Sequence, residues 1–115
     1  MSNEIKPTIT YEDFDKLDFR VAEIEDVEEI KGADKLYKLT INIGSETRTI
    51  CAGIKQFYSK EDLVGRKIIV LSNLAPRILK GIESKGMLLA ASNEDHTRVI
   101  LLAPESDIEP GSKIS

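Results

Sequence analysis

Hydrophobic and polar residues alternate along several stretches of the chain, and a period of two is typical of a β-strand. The clearest alternation covers residues 36–43, where every second residue from Tyr37 to Ile43 is apolar. Gly44 ends this pattern, and residues 48–52 form a run rich in β-branched side chains. We therefore predict that these two strands form a β-hairpin.

Three further runs favour strands, because apolar and β-branched residues dominate each of them. Residues 67–71 are almost continuously apolar, as expected of a buried strand. Residues 87–91 and 98–103 are separated by a polar turn at residues 92–97. We predict one strand for each of the three runs.

Residues 21–30 fit two structures. Their apolar residues recur every third position among glutamates, and this spacing by itself suits a helix. Their β-branched content favours a strand, which then requires a bulge where the alternation slips between Val21 and Ile24. We interpret the stretch as a long, bulged strand.

Two short helices are indicated by residue pairs that resemble capping boxes, with Asp in place of the usual Glu or Gln. Thr10 with Asp13 predicts a helix over residues 11–17. Ser59 with Asp62 predicts a second helix between the third and fourth strands.

The order of these elements is helix, three strands, short helix, strand, loop and two strands. A small barrel with a helix between its third and fourth strands is the OB-fold. We predict a mainly all-β fold, a five-stranded antiparallel barrel with short helices and a C-terminal strand extension. Residues 1–9 are expected to be a polar leader, and residues 10–115 to form the barrel domain.

The composition narrows the class of protein. Of the 115 residues, 41% are hydrophobic and 31% are charged, as in an ordinary globular domain. Apolar runs stop far short of the ~20 residues that span a bilayer, and the N-terminus lacks the apolar region of a secretory signal. The single cysteine cannot form an internal disulfide. We therefore expect a cytoplasmic protein that does not associate with membranes.

The sequence offers little for catalysis. His96, the only histidine, falls in the polar turn, and Cys51 lies far from it along the chain. Neither a nucleophile–base pair nor a zinc site is supported, and Cys51 is better interpreted as a small core residue. We expect no catalytic residue, no metal ligand and no cofactor.

Charge is unevenly distributed along the chain. The net charge is −4, which by itself argues against a nucleic-acid partner. Residues 31–85, however, carry eleven basic and five acidic side chains, whereas residues 1–30 carry three basic and ten acidic ones. A basic middle between acidic ends suits a polyanion-binding patch, although an unevenly charged, solvated surface would give the same counts.

Residues 73–87, called segment 73–87 below, combine backbone freedom with cationic donors. Pro76 directs the chain away from the preceding strand, while Gly81 and Gly86 permit turns or close approach. Arginine can bind phosphate with two hydrogen bonds, and lysine acts as a mobile point charge. The side chains that could contact a ligand are Asn73, Arg77, Lys80, Ser84, Lys85 and Met87. A surface loop with incidental charge is the alternative interpretation.

Five sequence motifs, in segment 73–87 and elsewhere in the chain, give the protein a specific resemblance to a known family. They are NLAPR at residues 73–77 and GIESKGMLLAA at 81–91, together with DFDKLDFRV at 13–21, ADKLY at 33–37 and TICAGI at 49–54. In order and spacing they resemble the tRNA-binding domain family, over roughly residues 10–115. That domain is attached to the C-terminus of many bacterial methionyl-tRNA synthetases, and it also occurs free-standing or as a β subunit.

The resemblance implies a non-catalytic OB-fold homodimer that binds tRNA by its shape and backbone. The implied groove uses Asn73, Arg77, Ser84 and Met87, with Lys35 and Lys80 contributing electrostatically. It also implies a possible partnership with the catalytic chain of methionyl-tRNA synthetase. Many family members have His-Pro or a similar pair before the ADKLY motif, where this chain has Lys31 and Gly32.

Two other functions stay open at this point. The same barrel occurs in a secretion chaperone that binds extended peptides, which would require an exposed apolar groove. The domain could also serve mainly to assemble a larger complex, with RNA contact secondary.

Overall fold

A long central strand and its antiparallel partners form the barrel in the computed structural model, which describes residues 4–115. The helices are α1 (Tyr11–Asp15) and α2 (Lys60–Leu63). The strands are β1 (Phe19–Glu29), β2 (Tyr37–Asn42), β3 (Thr47–Ala52), β4 (Lys67–Leu71), β5 (Arg77–Leu79), β6 (Ile82–Ser84), β7 (Met87–Leu88), β8 (Ala90–Ser92), β9 (Val99–Leu101) and β10 (Lys113–Ile114).

The main sheet has the strand order β3-β2-β1-β4-β7, and all of its pairs are antiparallel. The two outer strands approach each other at the seam, where the Lys85 N–H, just before β7, donates to the Thr49 carbonyl at 2.9 Å. The strand extension at the C-terminus is also present, because β10 pairs with the start of β1. The predicted five-stranded OB-type barrel is confirmed.

The bulge in β1 lies elsewhere than predicted. Ile24 pairs with Ile41 and Asp26 with Thr40, so the additional residue is Glu25, not one between Val21 and Ile24. The prediction assumed that every apolar residue of this strand faces the core. Val21 instead lies on the opposite side of the sheet, outside the core cluster, where it lines an apolar region together with Phe19 and Ile69. When both sides of a strand are buried, apolar residues at successive positions in the sequence can be mistaken for a bulge.

The core fills the interior of the barrel. Short helix α2 closes one end, with Leu63 fully buried and Ser59 capping its first turn, as the capping pattern predicted. Tyr37 donates its hydroxyl proton to the Tyr58 carbonyl at 2.9 Å, which holds the loop before α2 against β2. The largest fully buried side chains are Ile24, Leu39, Ile41, Ile50, Leu63, Ile68 and Val70.

The strand predicted over residues 87–91 is divided in two. Strand β7 pairs with β4, while β8 pairs with β9 in a separate hairpin. Leu89 lies at the transfer point, where its N–H donates to the Ile69 carbonyl and its own carbonyl accepts from the Leu102 N–H. The sequence shows a continuous apolar run because both halves pack against protein, although against different partners.

The N-terminal region has little regular structure. Residues 4–10 form neither helix nor strand, and residues 1–3 of the predicted leader lie outside the described residues. Helix α1 is two residues shorter at its C-terminus than predicted, and Thr10 caps it as expected. Within residues 4–115, neither helix has the length or the apolar character needed to cross a membrane.

Gly86 fixes the path of the chain between segment 73–87 and β7. Its φ of +122° is rarely adopted by other residues, and an added Cβ would lie 3.0 Å from the Leu71 carbonyl oxygen. The backbone of segment 73–87 therefore passes directly against the end of β4, so close that a side chain at Gly86 would require the neighbouring backbone to move.

Gly86→Ala should lower the free energy of unfolding by about 1–3 kcal/mol, because it adds backbone strain and a close contact with a carbonyl that cannot move freely. Urea denaturation measures the change. Gly32→Ala is the matched control, since Gly32 also has positive φ (+80°) but open space around it. Equal losses in the two variants would show that the close approach at Gly86 contributes nothing.

Candidate nucleic-acid interface

Much of segment 73–87 is a hairpin rather than a loop. Strands β5 and β6 pair in register, with Leu79 opposite Ile82. The two residues between them, Lys80 and Gly81, have φ values of +51° and +81°, which are those of a type I′ turn. The sequence prediction missed this hairpin because Lys-Gly lacks the usual Asn or Asp. The hairpin could have been recognised from apolar residues next to a two-residue turn that ends in Gly: Ile78 and Leu79 precede the turn, and Ile82 follows it.

A cleft of about 240 Å³ separates this β5–β6 hairpin from the barrel. Three of the predicted groove residues line it, namely Arg77, Ser84 and Met87, whereas Asn73, Lys35 and Lys80 do not. Sequence reasoning missed its apolar lining, which comes from β3, the hairpin and the loops beside them. The remaining lining residues are Leu36, Cys51, Ala52, Gly53, Leu74, Ala75, Leu79, Gly86 and Leu88.

The basic side chains predicted to bind the ligand lack the carboxylate partners that nearby basic side chains have. Among the residues that the structure describes, Lys35, Arg77 and Lys80 form no ion pair. Nearby basic side chains on the barrel are paired, for example Lys55 with Glu29 at 2.8 Å and Lys38 with Glu28 at 3.2 Å. The unpaired cations are therefore available to an external anion, and each of them is exposed.

The opposite side of the hairpin faces a polar groove of about 430 Å³. Its cations are compensated, since Lys38 pairs with Glu28, Arg48 with Glu46 at 3.3 Å, and Lys85 with Glu83 at 3.6 Å. The resulting local charge is close to neutral. Of the cations on and beside this hairpin, Arg77 on β5 and Lys80 in the turn are therefore those without a carboxylate partner among the described residues.

Ser84 and Asn73 are engaged within the protein. Ser84 is 5% exposed, and its Oγ accepts from the Cys51 N–H at 3.0 Å and donates to the Gly86 carbonyl at 3.2 Å. The Asn73 side chain accepts from the Asp18 N–H at 2.9 Å and donates to the Lys16 carbonyl at 2.6 Å. The structure therefore places both residues at points where segment 73–87 is attached to the barrel.

Asp18 organises the junction where segment 73–87 begins. Its carbonyl accepts hydrogen bonds from both the N–H and the Oγ of Ser72, each at 2.8 Å. Its carboxylate receives two hydrogen bonds from the Arg20 guanidinium, at 2.7 and 3.3 Å. The bond from Arg20 lowers the pKa of Asp18, although partial burial acts in the opposite direction.

The remaining candidate residues fit binding rather than chemistry. Met87 lies at the rim of the cleft and is 44% exposed, so it can contact a ligand. Cys51 lies in the cleft wall, and burial raises the pKa of its thiol, which makes it a poor nucleophile. His96 lies in the turn of the β8–β9 hairpin, as predicted. Among the described residues, no group of three or more His, Cys, Asp or Glu side chains could hold a metal ion.

Comparison with known proteins identifies the family. The sequence profile of the family described as "Putative tRNA binding domain" matches residues 19–113. The chain belongs to this family. Its resemblance to the tRNA-binding domain is confirmed.

The curated relatives are much longer proteins. The chain is 54% identical over 107 residues to the methionine–tRNA ligase of Caldanaerobacter subterraneus subsp. tengcongensis. The aligned region covers 93% of this chain and 16% of that enzyme. It is 50% identical over 110 residues to the same enzyme of Nitrosomonas europaea, covering 96% of this chain and again 16% of the enzyme. The chain thus spans about a sixth of the length of these relatives.

Solved structures of similar size share the whole fold. The methionyl-tRNA-synthetase-related protein of Pyrococcus horikoshii has a TM-score of 0.90 at 34% identity, covering 96% of this chain and all of that one. The chaperone CsaA of Bacillus anthracis has a TM-score of 0.86 at 30% identity, covering 95% of this chain and all of that one. The tRNA-binding domain therefore shares its fold with proteins described in two functional terms.

The lowered pKa of Asp18 gives a pH-dependent prediction. A carboxylate whose folded-state pKa lies below its unfolded-state value of about 3.9 stabilises the fold above that pH, and this contribution is lost as the pH falls further. Asp18→Asn should therefore lower the free energy of unfolding at about pH 7, and the difference from wild type should shrink at about pH 3. Urea denaturation at the two pH values measures it.

Glu25→Gln is the control for this experiment, because it also removes one negative charge but from an exposed side chain that forms no ion pair among residues 4–115. A difference between Asp18→Asn and wild type that stayed constant with pH would mean that the ion pair with Arg20 does not contribute to stability.

Proposed function

We propose that the chain binds tRNA without catalysing a reaction, at the surface formed by the β5–β6 hairpin and the adjoining cleft. The observation that carries the proposal is a set of cations without an ion pair among the described residues, in a chain that belongs to the tRNA-binding family. Arg77 and Lys80 are on the hairpin, and Lys35 precedes the cleft residue Leu36. Neutralising phosphates releases counterions and provides affinity that depends little on sequence.

The geometry favours recognition of RNA shape over reading of bases. No aromatic side chain lines the cleft within the described residues, so base stacking contributes little. Arg77 can bind a phosphate with two parallel hydrogen bonds, which fixes the position of the backbone. Exposed Met87 at the rim supplies an apolar contact. These features support binding to many tRNAs with similar affinity.

The conformation of Lys80 supports its role as a ligand contact. A residue other than glycine with a φ of +51° is strained, and Asn, Asp or Gly would fit this turn position better. Strained positions tend to occur at functional sites. This turn places the exposed Lys80 side chain at the tip of the hairpin, where it forms no ion pair among the described residues.

The partner that we propose is the catalytic part of methionyl-tRNA synthetase, which this domain serves as a β subunit or as a partner acting in trans. The relatives that match the chain over about a sixth of their length are methionine–tRNA ligases. A second attachment to the same tRNA would raise its effective concentration at the catalytic site without adding chemistry. This role places the protein in the cytoplasm.

We also propose a homodimer. A surface region on the side of the barrel that carries β10 is lined almost entirely by apolar side chains, and we call it the apolar face. It has a volume of about 420 Å³, and Phe14 and Phe19 lie on it with ring centroids 6.4 Å apart. Exposed apolar patches of this kind mark association surfaces. A second copy of the chain would cover the face in the manner that family membership suggests.

A chaperone function is the second candidate. The similarity to chaperone CsaA covers most of the chain, and the cleft has the apolar lining that an extended peptide would require. This function does not explain the uncompensated cations at the rim. Peptide binding is therefore the rival outcome in the tRNA-binding experiment.

Arg77→Ala should weaken binding to all tRNAs alike, reduce the slope of log K against log salt concentration by about 1, and leave the melting curve unchanged. Titration of unfractionated tRNA at several salt concentrations measures both quantities. Arg98→Ala is the matched control, because Arg98 is exposed on the β8–β9 turn and lies outside segment 73–87.

Absence of binding at low salt, or affinity that does not change with salt, would contradict the proposed function. Loss confined to one tRNA species would indicate base-specific recognition instead. Unfolded polypeptide that binds better than tRNA, or displaces it from the wild-type protein, would favour the chaperone function.

Phe14→Asp should convert the homodimer to monomer, because it places a charge on the apolar face. Analytical ultracentrifugation measures the mass of the species in solution. Phe57→Asp is a matched control, since Phe14 and Phe57 are both 37% exposed and Phe57 does not line the apolar face. A wild-type protein that sediments as a monomer, or a Phe14 variant that stays dimeric, would contradict the proposed dimer surface.

A further inference from the structure

We propose that Asn73 and Ser84 are positioning residues that attach the two ends of segment 73–87 to the barrel, and that RNA is contacted between them by Arg77 and Lys80. The proposal deepens the proposed function and rests on it. It also assigns Asn73 and Ser84 a different role from the direct contact that family resemblance implied.

Asn73 attaches the start of the segment to the junction between α1 and β1. Its amide oxygen accepts from the Asp18 N–H at 2.9 Å, and its amide nitrogen donates to the Lys16 carbonyl at 2.6 Å. The amide group thus bridges a donor and an acceptor that lie more than fifty residues earlier in the chain. Rotating it towards a ligand would break both bonds.

Ser84 attaches the end of the segment to β3. Its hydroxyl has one proton, which it donates to the Gly86 carbonyl, and its oxygen accepts from the Cys51 N–H. The side chain is buried, so an RNA hydroxyl or phosphate cannot reach it without displacing the hairpin. Removing the Ser84 oxygen would therefore take away the acceptor that the Cys51 N–H has at 3.0 Å.

The side chains between these two attachments are arranged in the opposite way. Arg77 and Lys80 are exposed, and neither makes an ion pair or a side-chain hydrogen bond among the described residues. Arg77 is directly opposite Ser84 in the hairpin register. Any movement of Ser84 relative to β3 is therefore transmitted to the backbone that carries Arg77. A displaced Arg77 would bind RNA more weakly, because the protein would no longer hold its guanidinium in the orientation that a phosphate requires.

Amide hydrogen exchange on the free protein tests the attachment itself. Ser84→Ala should speed exchange of the Cys51 amide, and Asn73→Ala should speed exchange of the Asp18 amide, because each amide loses its acceptor. Asn73→Asp keeps an acceptor oxygen and should preserve protection of Asp18. Asn93→Ala is the control, since Asn93 makes its hydrogen bonds within the β8–β9 turn.

A double-mutant cycle tests whether the two residues act through the hairpin cations. Asn73→Ala and Ser84→Ala are each introduced into the wild type and into a variant that lacks both Arg77 and Lys80 side chains (R77A/K80A). Affinity for unfractionated tRNA is measured at low salt. In the wild type we expect a loss on the order of threefold to tenfold, the range seen for residues of one network. In R77A/K80A the same substitutions should change affinity by less than about twofold.

Equal losses in both backgrounds would show that Asn73 or Ser84 makes its own contact with RNA, and would overturn the proposal. Unchanged affinity in the wild-type background, or unchanged exchange of Asp18 and Cys51, would overturn it as well. Ser84→Cys, whose thiol is a much weaker hydrogen-bond acceptor, replaces Ser84→Ala if the melting curve shows that the alanine variant does not fold, and it should change exchange and affinity in the same direction but by less. Failure of the wild type to bind tRNA would reject the proposed function, whereas the exchange results would still report on the attachment.

Discussion

The backbone hydrogen bonds around β1 are the constraint on which the rest of the structure depends. Its first half pairs with β4, its second half pairs with β2, and β10 pairs with its start. The bulge at Glu25 bends the strand so that one chain segment can belong to both sides of the barrel. The register that sets Phe19 opposite Leu71 also brings Asp18 beside Ser72, which is where segment 73–87 starts. The position of the binding surface is therefore a direct result of the strand register.

Charge compensation determines which cations can act on a ligand. Exposed ion pairs contribute little to stability, but they consume the positive charge that a phosphate would otherwise meet. Lys38, Arg48 and Lys85 are paired in this way, whereas Arg77 and Lys80 on the hairpin are not. An acidic protein can thus present a localised positive surface, and its net charge says little about its partner.

Much of the fold could be predicted because strand periodicity and helix caps are local signals. The alternation that begins at Tyr37 and the caps at Thr10 and Ser59 each appear in the structure where the residues indicated. The predicted strand boundaries and bulge were wrong where apolar residues are buried in two different environments but give the same sequence pattern. Val21 is apolar because it lies in the apolar face on the outer side of β1, and the residues after Met87 are apolar although they pass from one sheet to another. Periodicity reports burial without saying against what a residue is buried.

Some features of the candidate site are likewise visible in the sequence, and others depend on the fold. The order of residues is enough to show that cationic and polar side chains are concentrated in residues 73–87, and the motifs indicate the family to which the chain belongs. Three further features come from the folded chain. Residues 77–84 form a hairpin beside an apolar cleft, and Arg77 and Lys80 have no carboxylate partner among the described residues. Asn73 and Ser84 bond to main-chain groups distant in sequence. The physical reason is that hydrogen bonding and ion pairing depend on distances of a few ångströms between residues far apart along the chain. Those distances are set by strand register and packing, which no local stretch of sequence specifies.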